Sequence, residues 1–352
     1  MRYEVPTIGA ATLATRGHGE GAERRGGTSY DVARLAGVSQ SAVSRCFRPG
    51  ASVAPATRAK IMAAADSLGY RPNAIAQGLI TRRSNLVAVI ISNLTNLYYP
   101  EVLAELTQRL SERGARVLLF ALRAESEIDD VLDLVWRYQV DGAIVAALLS
   151  SAQLRAFAAR GTPLVLYNRH SAAVPVASVV CDFSIGEQLV DGLVAGGCRA
   201  FGLIGGPADS AVGEARVEGA RARLAHAGIT PLAVDRGDFS YGGGHAAARR
   251  LFAAHRLDAV IAANDVMALG AMDAVRLDLG LRVPEQVSVV GFDGVAPATW
   301  RSYALTTVRQ PVGRMTAAAV TMLFERIENA GFGPERRTFS GELIRGETAR
   351  LA

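Results

Sequence analysis

Lysine is all but missing from this chain. Lys60 is the only one in 352 residues, and the rest of the basic charge is arginine. A phosphate-binding loop needs its own lysine, so neither Gly-rich stretch, YGGGH at 241–245 or LIGGPA at 203–208, reads as one. LIGGPA also lacks the G-x-G-x-x-G spacing of a dinucleotide fingerprint. Histidines number five, and none falls in a Ser-His-Asp or metal-ligating arrangement. Catalysis, a bound cofactor and a metal site therefore have no support. Cysteine is also scarce: Cys46, Cys181 and Cys198 are odd in number and lack ligand spacing. That excludes a disulfide framework or zinc site and fits a reducing cytoplasm. No uncharged apolar run reaches membrane-spanning length, so a soluble protein without membrane contact is expected. Residues 1–27 end in RGHGEGAERRGG and contain no hydrophobic segment with a cleavage pattern, which argues for a disordered extension rather than a secretory signal.

The length exceeds one ordinary domain, so two or three compact units are expected. Charge divides them. The net charge is +5, yet residues 28–83 carry eight basic and two acidic side chains, while everything after them is slightly acidic. A basic excess confined to one small module is the electrostatic footprint of nucleic-acid binding.

Residues 28–79 carry the grammar of a helix-turn-helix. The first helix is predicted over 30–36, with Asp31 favouring its N-terminus and Val32, Leu35 and Ala36 on its apolar face. Gly37 supplies the positive φ for a reversal. Ser39 is a natural N-cap for a second helix over 40–47, where Val43 and Phe47 share one side and Gln40, Ser41, Ser44 and Arg45 the other. This polar side suits a major groove. A third helix over 56–68 buries Ile61, Ala65 and Leu68, with Gly69 ending it and Tyr70 plugging the core. Residues 74–79 form a helical run too short to stand alone, which needs a partner.

Beyond a basic linker at 81–84, strands and helices alternate. Strands are predicted over 86–91, 115–120, 141–146, 162–167, 177–182, 200–206, 258–263 and 286–292. Helices are predicted over 99–113, 127–138, 152–160, 185–195, 217–227 and 266–279. This pattern means two parallel α/β units with a cleft between them. Where loops leave strands lie Asn264, Asp265 and Asp293, and Arg216 falls in the loop leading into the helix at 217. Asn264 and Asp265 equally suit helix capping.

The stretches DVARLAGVSQSAVSR (31–45) and GYRPNAIAQGL (69–79) resemble the lactose-repressor family of bacterial transcription regulators, and the likeness continues to the C-terminus. The resemblance implies an N-terminal all-α helix-turn-helix domain plus an α/β periplasmic-binding-protein-like core of two Rossmann-like subdomains. Its domains would be an extension at 1–27, the DNA-binding domain at 28–70, and a hinge helix with linker at 71–83. One core subdomain would comprise 84–181 with 310–337, the other 182–309 with 338–352. Residue by residue, Gln40, Ser41 and Arg45 become base readers, Arg45 offering guanine a bidentate fork. Leu79 becomes the minor-groove wedge. Thr28, Tyr30, Ser39 and Asn73 become phosphate contacts. Arg48 departs from the family's usual Asn, and Cys46 is an unusual neighbour for Arg45. In the cleft, Arg216, Asn264 and Asp293 would meet an effector, with Phe239 as the aromatic platform. Asn96, Tyr98 and Tyr99 match a loop in which Leu97 replaces proline, and Arg169 joins them.

The resulting expectation is a cytoplasmic, homodimeric, sequence-specific regulator, a repressor, that binds a palindromic double-stranded operator under control of a small effector such as a sugar. A solute-binding protein of a transport system shares the core fold, but would need a secretory signal and has no use for residues 28–79.

Overall fold

The computed structural model describes residues 27–48, 51–71, 83–123, 125–182, 184–329 and 331–352. Asn73, the expected hinge at 74–79 with its Leu79, and residues 1–26 lie outside the described residues. The chain divides into two compact units, Met1–Gln77 and Gly78–Ala352.

The smaller unit comprises α1 (Ser29–Ala36), α2 (Gln40–Cys46) and α3 (Pro55–Ser67). Thr28 caps α1 through a reciprocal box with Asp31. Gly37 then takes φ 64° and ψ 39°, the left-handed reversal that its missing Cβ permits. Ser39 caps α2 by accepting the Ala42 amide at 3.2 Å. Val32, Ala33, Val43, Cys46, Ile61, Ala64 and Ala65 form the core. Leu35 does not join it. It is 58% exposed, because the other helices pack on the Val32 and Ala33 side of α1 and turn Leu35 outward. Tyr70 meets the edge of the Phe47 ring at 5.7 Å, closing the bundle.

The larger unit contains two six-stranded sheets. In the first, the spatial order is β11 (Arg336–Ser340), β5 (Ala177–Asp182), β4 (Leu164–Tyr167), β3 (Gly142–Ala146), β1 (Leu86–Ser92), β2 (Arg116–Leu122), and every pairing is parallel. In the second it is β12 (Glu342–Ile344), β10 (Thr306–Arg309), β9 (Ser288–Asp293), β8 (Ala259–Ala262), β6 (Phe201–Gly205), β7 (Ala233–Arg236), and only β12 runs antiparallel. Val87, Val89 and Ile91 of β1 join one apolar layer while Ala88 and Ile90 join another. Both faces are therefore covered, which is why the strand reads as an unbroken apolar run.

Helices α4 (Tyr98–Glu112), α5 (Ile128–Arg137), α6 (Ser151–Ala159), α7 (Ser184–Ala195), α8 (Ala211–His226), α9 (Tyr241–Ala254), α10 (Asp265–Asp273) and α11 (Val312–Glu328) complete the unit. The helix predicted over 266–279 is interrupted: α10 gives way to one π-helical turn at Ala274–Asp278. The stretch YGGGH proves to open α9 rather than a loop, because Ser240 caps it and Gly244 lets α9 touch α10. A Cβ at Gly244 would lie 2.2 Å from the Met267 carbonyl oxygen. The chain passes between sheets after β5, after β10 and at Gly341. Strand β11 stays in register with β5 through Ser340, so the boundary expected at 337 falls three residues late in the structure.

Candidate functional site

On the smaller unit, α2 turns Gln40, Ser41 and Arg45 to solvent while Val43 and Cys46 face the core. Its far end is tied down by Arg58 of α3, whose Nη1 donates to the Cys46 carbonyl at 2.9 Å and whose Nη2 donates to that of Ala51 at 3.4 Å. Those carbonyls lie where a helix C-terminus and the following loop need donors, and a guanidinium also complements the dipole there. Arg58 carried no motif in the sequence, since only the fold brings it to α2. Tyr30 is 73% exposed, and Thr28 and Ser39 lie at the starts of α1 and α2 with their hydroxyls engaged in capping.

In the larger unit, the C-terminal ends of the parallel strands meet around a tight gap with a cavity volume of only about 10 Å³. That is far below the roughly 300–1,000 Å³ of ligand pockets, so the side chains around it stand in contact with one another. Asn96, Tyr98, Tyr99, Arg169, Arg216, Phe239 and Asp293, all singled out in the sequence, line it. Asn264 does not. It caps α10, its Oδ1 accepting the Met267 amide at 2.9 Å, and its Nδ2 donates to the Phe239 carbonyl at 3.2 Å. Arg216 belongs to the second turn of α8 rather than to a loop, because Ser210 caps that helix six residues earlier than the apolar pattern suggests. Asn93, Asn168, Ser210, Val212 and Gln310 also line the chamber and were missed. One signal was available for two of them: Asn93 and Asn168 follow strands and take φ of 56° and 55°, a conformation that asparagine tolerates.

Asp293 is the hub. Its Oδ1 accepts Arg216 Nη2 at 2.7 Å and Gln310 Nε2 at 2.7 Å, and its Oδ2 accepts Asn96 Nδ2 at 3.1 Å. Asn96 comes from the loop after β1, Arg216 from α8 beside the second sheet, and Gln310 from a crossover. Gln310 Oε1 accepts Asn168 Nδ2 at 2.6 Å, and Asn168 Oδ1 accepts the Cys181 amide at 3.1 Å, which ties in the end of β5, where the chain first passes between the sheets. Asn168 Nδ2 also reaches the Tyr98 hydroxyl at 3.4 Å. Arg216 donates its Nη1 to the Ala263 carbonyl at 2.6 Å and lies 5.5 Å from the Phe292 ring centre.

The electrostatics follow from burial. Desolvation opposes the Arg216 charge, but the Asp293 carboxylate more than compensates and holds the guanidinium above its ordinary range. Burial raises the Tyr98 hydroxyl well above its usual value, helped by Tyr167, whose hydroxyl is 3.3 Å away. Both tyrosines stay neutral, so Tyr98 serves as a hydrogen-bonding group and not as a base. Burial also pushes the Cys181 thiol up to about 11, which makes it a packed, unreactive thiol. Such a lining, rich in amides, hydroxyls and one charge pair beside aromatic rings, offers the mixed donors and acceptors that complement a polyhydroxylated molecule.

Residues 28–73 match the family described as bacterial regulatory proteins, lacI family, and residues 190–349 match a periplasmic binding protein-like domain. The chain is similar to the HTH-type transcriptional regulator CelR of Thermobifida fusca, with 33% identity over 334 residues, 91% of this chain and 98% of that protein. Among solved structures, the lac repressor dimer bound to operator and the anti-inducer ONPF superimposes with a TM-score of 0.82 at 29% identity, covering 93% of this chain and 100% of that one. A CelR–cellobiose complex gives a TM-score of 0.69 at 31% identity, covering 92% and 100%.

Proposed function

The chain belongs to the lacI family of bacterial regulatory proteins, and on that premise we propose that it acts as a homodimeric repressor whose grip on DNA is set by a sugar held in the Asp293 chamber. It is a DNA-binding transcriptional regulator and not an enzyme. Two copies dock their α2 helices in successive major grooves of an approximately palindromic operator. Gln40, Ser41 and Arg45 read base edges, with Thr28, Tyr30, Ser39 and Asn73 on phosphates and Leu79 as the minor-groove wedge. The solvent-facing placement of the three readers on a capped helix supports this. The domain division follows the two sheets, with residues 71–83 as the hinge between DNA-binding and effector parts.

The observation that carries the effector reading is the convergence of Asn96, Arg216 and Gln310 on one buried carboxylate. A ligand hydroxyl that replaces any of these bonds changes how the two sheets are held together. It acts only through its different affinity for the two arrangements. Sugar class is supported by the polar, aromatic-edged lining and by the cellobiose bound in the CelR complex. The test is a thermal-shift series on the full chain with cellobiose, other mono- and disaccharides, and purines. A ligand present at about 100 times its Kd adds close to 2.7 kcal/mol of stability. The expected result is a raised melting temperature with one sugar and none with purines. Stabilisation by a purine alone would overturn the sugar assignment.

A further inference from the structure

Asp265 is fully buried, yet it neither lines the chamber nor pairs with Arg216. It opens α10, where an acidic residue suits the helix dipole, but its carboxylate is turned away to the next strands. Oδ2 accepts two successive amides, Gly294 at 2.7 Å and Val295 at 2.9 Å, and Oδ1 accepts the Thr307 hydroxyl. All three donors are neutral. Gly291, paired with Thr307 across β9 and β10, leaves room for this side chain, since a Cβ there would lie 2.4 Å from Asp265 Oδ1.

The turn so held is strained. Asp293 has φ 123° and Gly294 φ 73°, and a non-glycine residue in that region persists only where its surroundings over-determine it. Two adjacent amides aimed at one carboxylate form an anion-binding nest, and that nest fixes the backbone from which the Asp293 side chain departs. We infer that Asp265 is a positioning residue for the effector site: its carboxylate templates the strained turn that aims Asp293 at Asn96, Arg216 and Gln310. The inference rests on the chamber being the effector site. Its structural core, the coupling of Asp265 to the turn, stands apart from any ligand.

The experiment uses Asp265→Ala and Asp265→Asn in the full chain. Amide hydrogen exchange across residues 290–297 is measured without ligand, and affinity for cellobiose as probe is measured by calorimetry. In Asp265→Ala, exchange at 294 and 295 rises by at least about tenfold, while the rest of the second sheet keeps its protection. Where the parent binds cellobiose, its affinity falls by a similar factor of about ten. Asn can present its oxygen to both amides and its NH2 to the Thr307 oxygen, so Asp265→Asn restores protection to within about threefold. Unchanged exchange in Asp265→Ala, or a rise spread evenly over the sheet, overturns the proposal. If the alanine variant fails to fold, Thr307→Val removes one of the three bonds and is expected to give a smaller rise at the same amides; no rise there overturns the proposal too. A parent that ignores cellobiose and every other sugar counts against the effector reading, while the exchange result still decides the role of Asp265.

Discussion

Asp293 and Arg216 are both almost wholly buried, with side-chain exposures of 0% and 2%. Removing one member of such a pair leaves the other charged and without its counter-ion, at a cost of about 3–5 kcal/mol. Asp293→Ala is therefore expected to abolish the effector response and also lower the urea midpoint, while operator binding in the folded fraction persists. An unchanged response would remove Asp293 from the site. Asp265 yields a pH prediction. Burial first, and then the neighbouring Asp293, push its carboxyl up to about 7, while its three hydrogen bonds pull the other way. The folded pKa thus exceeds the ordinary 3.8, and between those values the folded chain holds a proton that the unfolded chain has lost. The stability this contributes is fully present below pH 4 or so and is lost as pH rises through about 7, with a slope limited to about 1.4 kcal/mol per pH unit. Denaturation midpoints between pH 5 and 8 should fall with pH more steeply for the parent than for Asp265→Asn. Parallel curves would refute it.

At the scale of elements, α2 is short, with seven residues, and depends on its ends. Ser39 and the Gly37 reversal hold its start, and Arg58 holds its finish. Arg58→Ala should cost the smaller unit about 1 kcal/mol and weaken operator binding, as read by thermal melting and by fluorescence anisotropy on labelled operator. A loss of neither would make the Arg58 contacts incidental. Most elements were legible in the sequence because burial on both faces makes strands into continuous branched runs and leaves amphipathic helices between them. Strands β7, β10 and β11 and helices α9 and α11 were not predicted, and two of these omissions have plain physical causes. Strand β7 is an edge whose residues alternate between half-buried and exposed, so it has no apolar run. Helix α9 starts with glycines that signal a loop locally, and of these Gly244 is needed because Met267 of α10 lies against it.

For the molecule as a whole, charge and chemistry are partitioned between the two units. The basic excess of residues 28–83 predicts operator binding that weakens steeply with salt, whereas the chamber bonds are buried and screened far less. Arg45→Ala should relax base preference in a selection from random duplexes while the salt slope changes little. A uniform loss across sequences, with a shallower slope, would make Arg45 a phosphate contact instead. Among the described residues no helix is long and apolar enough to cross a membrane.

The sequence alone determined what local chemistry encodes: a capped helix-turn-helix, the alternation of strands and helices, and the polar residues that strand ends present. Tertiary structure decided what local chemistry leaves open. Asn264 and Asp265 are neighbours of like character, yet one caps a helix and the other grips a turn, because only the packed strands show which donors each can reach. Gln310 carries no motif and became part of the chamber because a crossover delivers it to Asp293. Contacts between residues distant in the chain depend on how the sheets are laid side by side, and no window of sequence holds that information.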